Sequence, residues 1–269
     1  MRASSLAVAA SLEATFSSAR GVARVSASPP LELRGPFREV GELPLYILKN
    51  VTAGVFSGDH YDVTLRAESG ARVRVNTASA AKVCEMPGGQ ADCRLTIEAE
   101  AGSIMRYGPA PMILQAGSDF SQTTQIQVAT GATLVYSEVV AFGRLARGEC
   151  LAFRRFSNEL SVVIAGDAAP TYAERFTLCN PGAGGTVGQA LSGYGVLGTL
   201  IYLGPDSEAL AGYLHVRLTE GPGAFGGATT LPAHQGVIVK VLASSLQTAL
   251  EVLKASEATI LSWREPSQS

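Results

Sequence analysis

Residues Ser79-Ala-Ala-Lys82, inside "VNTASAAKVCEMPGG", have the spacing S-x-x-K. In penicillin-recognising acyl-enzymes that spacing puts a nucleophilic serine one helical turn from a lysine. The chemistry needs Ser79 to open a helix. The preceding "ARVRVNT" alternates like a strand and the following "MPGG" reads as a turn, so no helix is expected. No S-D-N, K-T-G or G-x-S-x-G accompanies the motif, and His60, His215 and His234 are scattered. No catalytic residue is assigned.

"GDHYD", Gly58 to Asp62, is the most metal-like cluster, since Asp59, His60 and Asp62 carry suitable donors. On a strand Asp59 and His60 point to opposite faces. The simpler reading is a polar turn feeding a strand, with Asp59 capping the turn or lining a polar passage. Walker A and strand-linked G-x-G-x-x-G motifs are both missing. No tightly bound metal or cofactor is expected.

The elements that must position these residues are mainly strands, and they repeat. "YDVTLRAESGARVRVNT" from Tyr61 aligns with "CRLTIEAEAGSIMRYGP" from Cys93 at an offset of 32. Thr64 meets Thr96, Ala67 meets Ala99, Gly70 meets Gly102 and Arg74 meets Arg106. A third copy, "TTQIQVATGATLVYSE", follows 29 residues on with Gly131 at its turn. Each unit is strand, turn, strand, with Val63, Leu65, Ala67, Val73 and Val75 on one side. Units too thin to bury their own face imply stacking like a solenoid. "ELSVVIAG" and "PTYAERFTL" continue the strands, and "NPGAGGTVGQALSGYGVLG" dilutes them with glycine. "TLIYLG" and "GVIVKVLA" read as buried strands.

Two helices come late. "PDSEALAGYLHVRL" offers Asp206 or Ser207 as N-cap. "SSLQTALEVLKASEATILSW" offers Ser245, with Leu246, Leu250, Leu253 and Ile260 near one face. The expectation is one domain, 1–269, mainly β, with stacked β-solenoid or β-helix-like layers and about two C-terminal α-helices.

Composition agrees with a chain that hides apolar surface against partners. Charged residues make up 16% of its 269 positions, against roughly 25% in an average soluble protein. A net charge of −2 points to neither nucleic acid nor an anionic membrane. No stretch approaches the roughly 20 apolar residues of a bilayer span. "MRASSLAVAASLEA" imitates a signal peptide but reads as a first strand, so the cytosol is expected. Cys84, Cys93, Cys150 and Cys179 are too dispersed for a metal pair and read as reduced thiols.

The order of motifs resembles one family. "LRGPF" at Leu33 precedes "TAGVFSGD" at Thr52, "NTASAAKVCEMPGG" at Asn76 and "GSIMRYGPAPMIL" at Gly102. "GATLVYSEVVAFGRLARGE" at Gly131 and "GVIVKVLA" before a final "WRE" complete the series. Their number, order and spacing resemble the UreD/UreH urease accessory proteins up to about Trp263. In that family "T-T-x-x-A-T-K-V-Y" stands where this chain has the opening motif, so Thr77 and Lys82 match its threonine and lysine. Asn76 and Cys84 depart from it, and "TAGVFSGD" has fewer glycines.

The resemblance implies a mainly β, helically wound fold and a non-enzymatic scaffold of nickel delivery in the cytoplasm. It implies binding to the urease apoprotein and to a UreF-type protein, which recruits a UreG-type GTPase. It implies transit of nickel, with Asp59, Thr77 and Glu138 as path candidates because they lie in the matching motifs. Lys82, Arg144 and Glu149 are structural or partner-facing candidates, and Arg144 offers a fork of donors suited to Glu149. The competing readings are a β-solenoid carbohydrate-active enzyme, which needs carboxylates such as Asp59, Glu138 and Glu149 in one groove, and an adaptor with no metal role.

Overall fold

The computed structural model describes residues 7–18, 21–166, 169–179, 191–219, 224–232 and 235–263. The glycine-rich stretch from Asn180 to Ala190 and His234 lie outside them, as does the "RE" of "WRE". The repeat seen in the sequence becomes the register of two sheets.

The first sheet contains β1 (Ala9–Ser17), β2 (Gly21–Ala27), β5 (His60–Ala67), β8 (Ala91–Ala99), β11 (Asp119–Val128), β13 (Arg155–Ile164) and β14 (Tyr172–Cys179). Its order is β14-β13-β11-β8-β5-β1-β2. The second sheet contains β3 (Leu31–Phe37), β4 (Leu45–Asn50), β6 (Arg72–Thr77), β9 (Ile104–Tyr107) and β12 (Thr133–Ala141). It continues with β15 (Val196–Leu203), β17 (Gly236–Ala243) and β16 (Ala224–Thr230), in the order β16-β17-β15-β12-β9-β6-β4-β3. Two short strands, β7 (Ala81–Val83) and β10 (Met112–Leu114), pair beside β12.

Each coil passes from the first sheet to the second through a glycine turn. Val63 pairs with Leu95, Thr64 with Thr96 and Ala67 with Ala99 across β5 and β8, and Arg74 pairs with Arg106 across β6 and β9. The third copy lies on the second with Ile97 opposite Ile126. Gly70, Gly102 and Gly131 have φ of 71°, 72° and 82°, a left-handed conformation that glycine adopts without cost. Gly102 N–H donates to the Gly131 carbonyl at 3.2 Å, so the turns stack along one side. The result is a solenoid of about four turns. The parallel stack ends where β13 meets β14, and β12 meets β15, in antiparallel pairs.

Alternation sets the layers. Leu12, Leu65, Ile97, Ile126, Leu134 and Leu160 belong to one apolar core between the sheets. Val135, Val139, Leu200, Val239 and Val241 point to the opposite face of the second sheet. That face is covered by α1 (Ser207–Thr219) and α2 (Leu246–Trp263), through Leu210, Leu214, Leu253 and Ile260. Arg74 and Arg106 share Glu42, and Arg106 Nη2 also pairs with Glu257 of α2 at 2.8 Å.

One detail of the helices differs from expectation. Ser245 Oγ accepts from Thr248 N–H at 3.1 Å and caps α2 as expected. Of the two candidates for α1, Asp206 stands at the cap position, its carbonyl accepting from Leu210 N–H at 3.2 Å, while Ser207 donates its hydroxyl to the Gly204 carbonyl. Leu250 is 39% exposed, because the buried stripe of α2 runs through Ala249, Leu253, Ser256 and Ile260. No helix among the described residues is long and apolar enough to cross a membrane.

Candidate functional site

Between the sheets lies a cavity of about 550 Å³. It opens among residues 50–54, 77–82 and 109–110, most of them exposed or half-buried, and reaches inward to Tyr61, Cys93, Tyr107, Gln122, Tyr136 and Glu138. Its inner wall is built by register. Tyr61, Cys93 and Gln122 stand side by side on β5, β8 and β11. Tyr136 and Glu138, two apart on β12, share the inward face.

Glu138 is the charged group of this wall. It is buried, and both of its described hydrogen bonds fall on Oε2. Tyr136 donates its hydroxyl at 2.9 Å and Gln122 donates Nε2–H at 2.7 Å. Burial pushes the Glu138 carboxyl above its ordinary range, while the Lys240 ammonium and the two donors oppose that rise. Burial likewise raises the Tyr136 and Tyr107 hydroxyls, and it lifts the Cys93 thiol to about 12. At neutral pH the wall therefore presents protonated phenols, a protonated thiol and one carboxyl group. Oxygen donors of this kind suit weak, exchangeable contact with a divalent cation.

The remaining candidates divide. Thr77 lies at the opening, where its hydroxyl accepts from Ala110 N–H at 2.8 Å. Lys82 lines the same opening at an exposed position of β7. Ser79 sits in a bend before that strand, so the S-x-x-K helix does not form.

Asp59 does not line the cavity. Its carboxylate accepts from Val8 N–H at 3.0 Å, Phe56 N–H at 2.9 Å and the Tyr61 hydroxyl at 2.9 Å. Three donors occupy it, and it serves as the cap of the turn entering β5 rather than as a wall of the passage. His60 points the other way, exposed and paired with Asp92.

Arg144 and Glu149 pair as their types suggest. Arg144 Nε–H donates to Glu149 Oε2 at 3.0 Å, and Ala116 N–H donates to Oε1 at 3.0 Å. The Arg144 guanidinium holds the Glu149 carboxyl below its ordinary range. The pair closes a loop around the 3-10 turn Leu145–Arg147 and stands apart from the cavity lining. Gly143 is required there, because a Cβ at φ 143° would lie 2.2 Å from the Glu149 carbonyl oxygen.

Sequence reasoning missed Gln122, Asn158, Thr199 and Lys240. One signal marks them: each interrupts the inward apolar alternation of its strand. Lys240 falls between Ile238 and Leu242, Thr199 between Leu197 and Ile201, and Asn158 between Phe156 and Leu160. The register puts the interruptions at one level. Gln122 lies beside Asn158, Glu138 beside Thr199, and Thr199 beside Lys240.

Among the described residues, no three His, Cys, Asp or Glu side chains gather as a metal-binding group. The four cysteines are free thiols.

Comparison with known proteins gives a consistent result. The family described as "UreD urease accessory protein" matches residues 7–267. "Urease accessory protein UreD" of Haloarcula marismortui is 35% identical over 239 residues, covering 86% of this chain and 77% of that protein. The Mycolicibacterium gilvum protein of the same name is 31% identical over 198 residues, covering 73% and 70%. "Urease accessory protein UreD 2" of Streptomyces griseus is 34% identical over 225 residues, covering 80% and 75%. The motif order, the stacked-strand fold and these matches agree, and the chain belongs to the UreD family of urease accessory proteins, with a role in urease maturation.

Proposed function

We propose that this chain is a non-catalytic cytoplasmic scaffold of urease maturation, and that nickel bound for urease passes through its internal cavity. It binds the urease apoprotein and a UreF-type partner, which brings a UreG-type GTPase to the assembly. Nickel is cargo here, not a resident cofactor. The observation that carries the reading is Glu138, a carboxyl group on the wall of a cavity otherwise lined mostly by apolar side chains and neutral polar groups.

Transit needs contacts that form and release. A storage site would gather several soft or imidazole ligands, and among the described residues no such cluster forms. Glu138, in its ionised form, offers a cation a carboxylate inside the fold, and Gln122, Tyr136 and Thr77 add neutral oxygens along the wall. Binding then proceeds without a deep trap.

The carbohydrate-active reading needs two carboxylates in one groove. Asp59, Glu138 and Glu149 have separate sets of partners, and only Glu138 lines the cavity. The adaptor reading shares the scaffold role and lacks the metal step. Two measurements on Glu138→Gln and Thr77→Val separate the readings: co-purification with apo-urease and the UreF-type partner, and urease activation at limiting nickel. Normal assembly with impaired activation supports transit. Normal activation by both variants leaves only the adaptor.

A further inference from the structure

The polar layer that begins at Glu138 does not end at the cavity wall. Thr199 is fully buried beside Glu138 on the neighbouring strand, and Lys240 comes next. Lys240 Nζ donates to Thr199 Oγ1 at 3.0 Å and to Glu174 Oε1 at 2.7 Å. The Tyr172 hydroxyl donates to Glu174 Oε2 at 3.0 Å. On the facing sheet Gln122 and Asn158 occupy the same level, linked at 3.3 Å.

Glu174 stands on β14, the last strand of the first sheet, and Lys240 on β17 of the second. Their ion pair thus bridges the two sheets where the parallel stack has ended. The Lys240 side chain is 30% exposed and the Glu174 side chain 23%, whereas Thr199 and Asn158 are buried. Polar residues adjacent in register therefore lead from Glu138 through Thr199 to the part-exposed Lys240–Glu174 pair at the side of the sandwich.

A packed apolar edge would close this side at least as well. Ion pairs removed from water are weak contributors to stability, and apolar replacements of similar volume often match them. Holding a lysine side chain in one conformation also costs entropy. Stability alone gives little reason for Ile238 and Leu242 to be separated by an inward lysine. A fixed ammonium does have one property that an apolar edge lacks: it repels cations.

We propose that the β14–β17 edge is a lateral mouth of the cavity, and that the Lys240–Glu174 ion pair seals it against cations. A divalent cation at Glu138 meets an ammonium fixed by Thr199 and Glu174 on this side, whereas Lys82, at the opening toward Thr77, stands at an exposed position of β7. The use of the seal rests on the transit reading, while its geometry stands independently.

The test uses the whole chain carrying Cys84→Ser, Cys150→Ser and Cys179→Ser. Cys93 then remains, beside Gln122 in the cavity wall. Its rate of modification is measured with a cationic reagent, 2-aminoethyl methanethiosulfonate, and with its anionic sulfonatoethyl counterpart. Lys240→Ala is expected to raise the cationic rate at least tenfold and the anionic rate much less, and Lys240→Arg to keep the parental rates. If Lys240→Ala does not fold, Lys240→Met tests the charge alone and is expected to show the same cation-selective gain. Parental rates in a folded charge-removed variant, or equal gains for both reagents, would overturn the proposal. Because the readout contains no nickel and no urease, a negative result removes the seal and leaves the transit reading untouched.

Discussion

Tyr136 and Glu138 lie two positions apart on β12, and the Tyr136 hydroxyl donates to Glu138 Oε2 at 2.9 Å inside the fold. This i, i+2 relationship puts the donor and the carboxylate on the same inward face. Burial still outweighs the donors, so the folded carboxyl titrates above the 4.5 of its ordinary state. Between 4.5 and the raised folded value, the native state holds more protons than the unfolded one. Stability contributed by this group therefore falls as pH rises through that window. Glu138→Gln removes the effect. Its stability relative to the parent is expected to increase as pH rises above 4.5, measured by urea unfolding at several pH values. A difference independent of pH would contradict the placement of Glu138.

Glu149 shows the opposite sign. Its carboxyl is held below 4.5, chiefly by Arg144, so its contribution is present above 4.5 and lost as pH falls through the lower folded value. The loop it closes depends on Gly143 as much as on charge. Gly143→Ala is expected to destabilise the protein by roughly 2 kcal/mol or more, since both the φ of 143° and the contact with the Glu149 carbonyl oppose a side chain. Chemical denaturation measures this, and unchanged stability would show that the loop can relax.

The stacked turns make a milder prediction. Gly102→Ala has room but takes on a left-handed residue at φ 72°, so a loss of about 1 kcal/mol is expected. Ile97→Ala, at a fully buried position between neighbouring coils, is expected to cost about 2–5 kcal/mol. Similar losses at both sites would argue that the turn, not the core, holds the stack.

Ser79→Ala is expected to match the parent in stability and in urease activation. Ser79 lies in a bend and Lys82 at an exposed position of a strand, so neither helical spacing nor an enclosed nucleophile exists. Incubation with a fluorophosphonate or a β-lactam should leave Ser79 unmodified by mass spectrometry. A covalent adduct there would contradict this.

Much of the fold was legible because strands leave a period of two and the stack leaves a second period. The offset of 32 between Gly70 and Gly102 is the same offset that pairs Val63 with Leu95. The site was less legible. Glu138 lies in a motif readable from the sequence, but its neighbours come from strands scattered between Gln122 and Lys240, and only sheet order brings them together. Asp59 carried two readings, a turn cap and a passage residue named for its motif, and the structure shows it capping the turn and absent from the cavity lining. Three donors hold it there, a fact that depends on Val8 reaching it from just before β1. Leu250 misled because a stripe of leucines defines a helix face only to within a residue or two.

The proposed passage of nickel past Glu138 is tested by the initial rate of nickel incorporation into apo-urease by the assembled complex. Glu138→Gln preserves size and leaves a hydrogen-bonding amide toward Tyr136 while removing the charge. Complete assembly is expected, with a rate at limiting nickel reduced at least tenfold and partial recovery when nickel is raised. An unchanged rate in a fully assembled Glu138→Gln complex would contradict it.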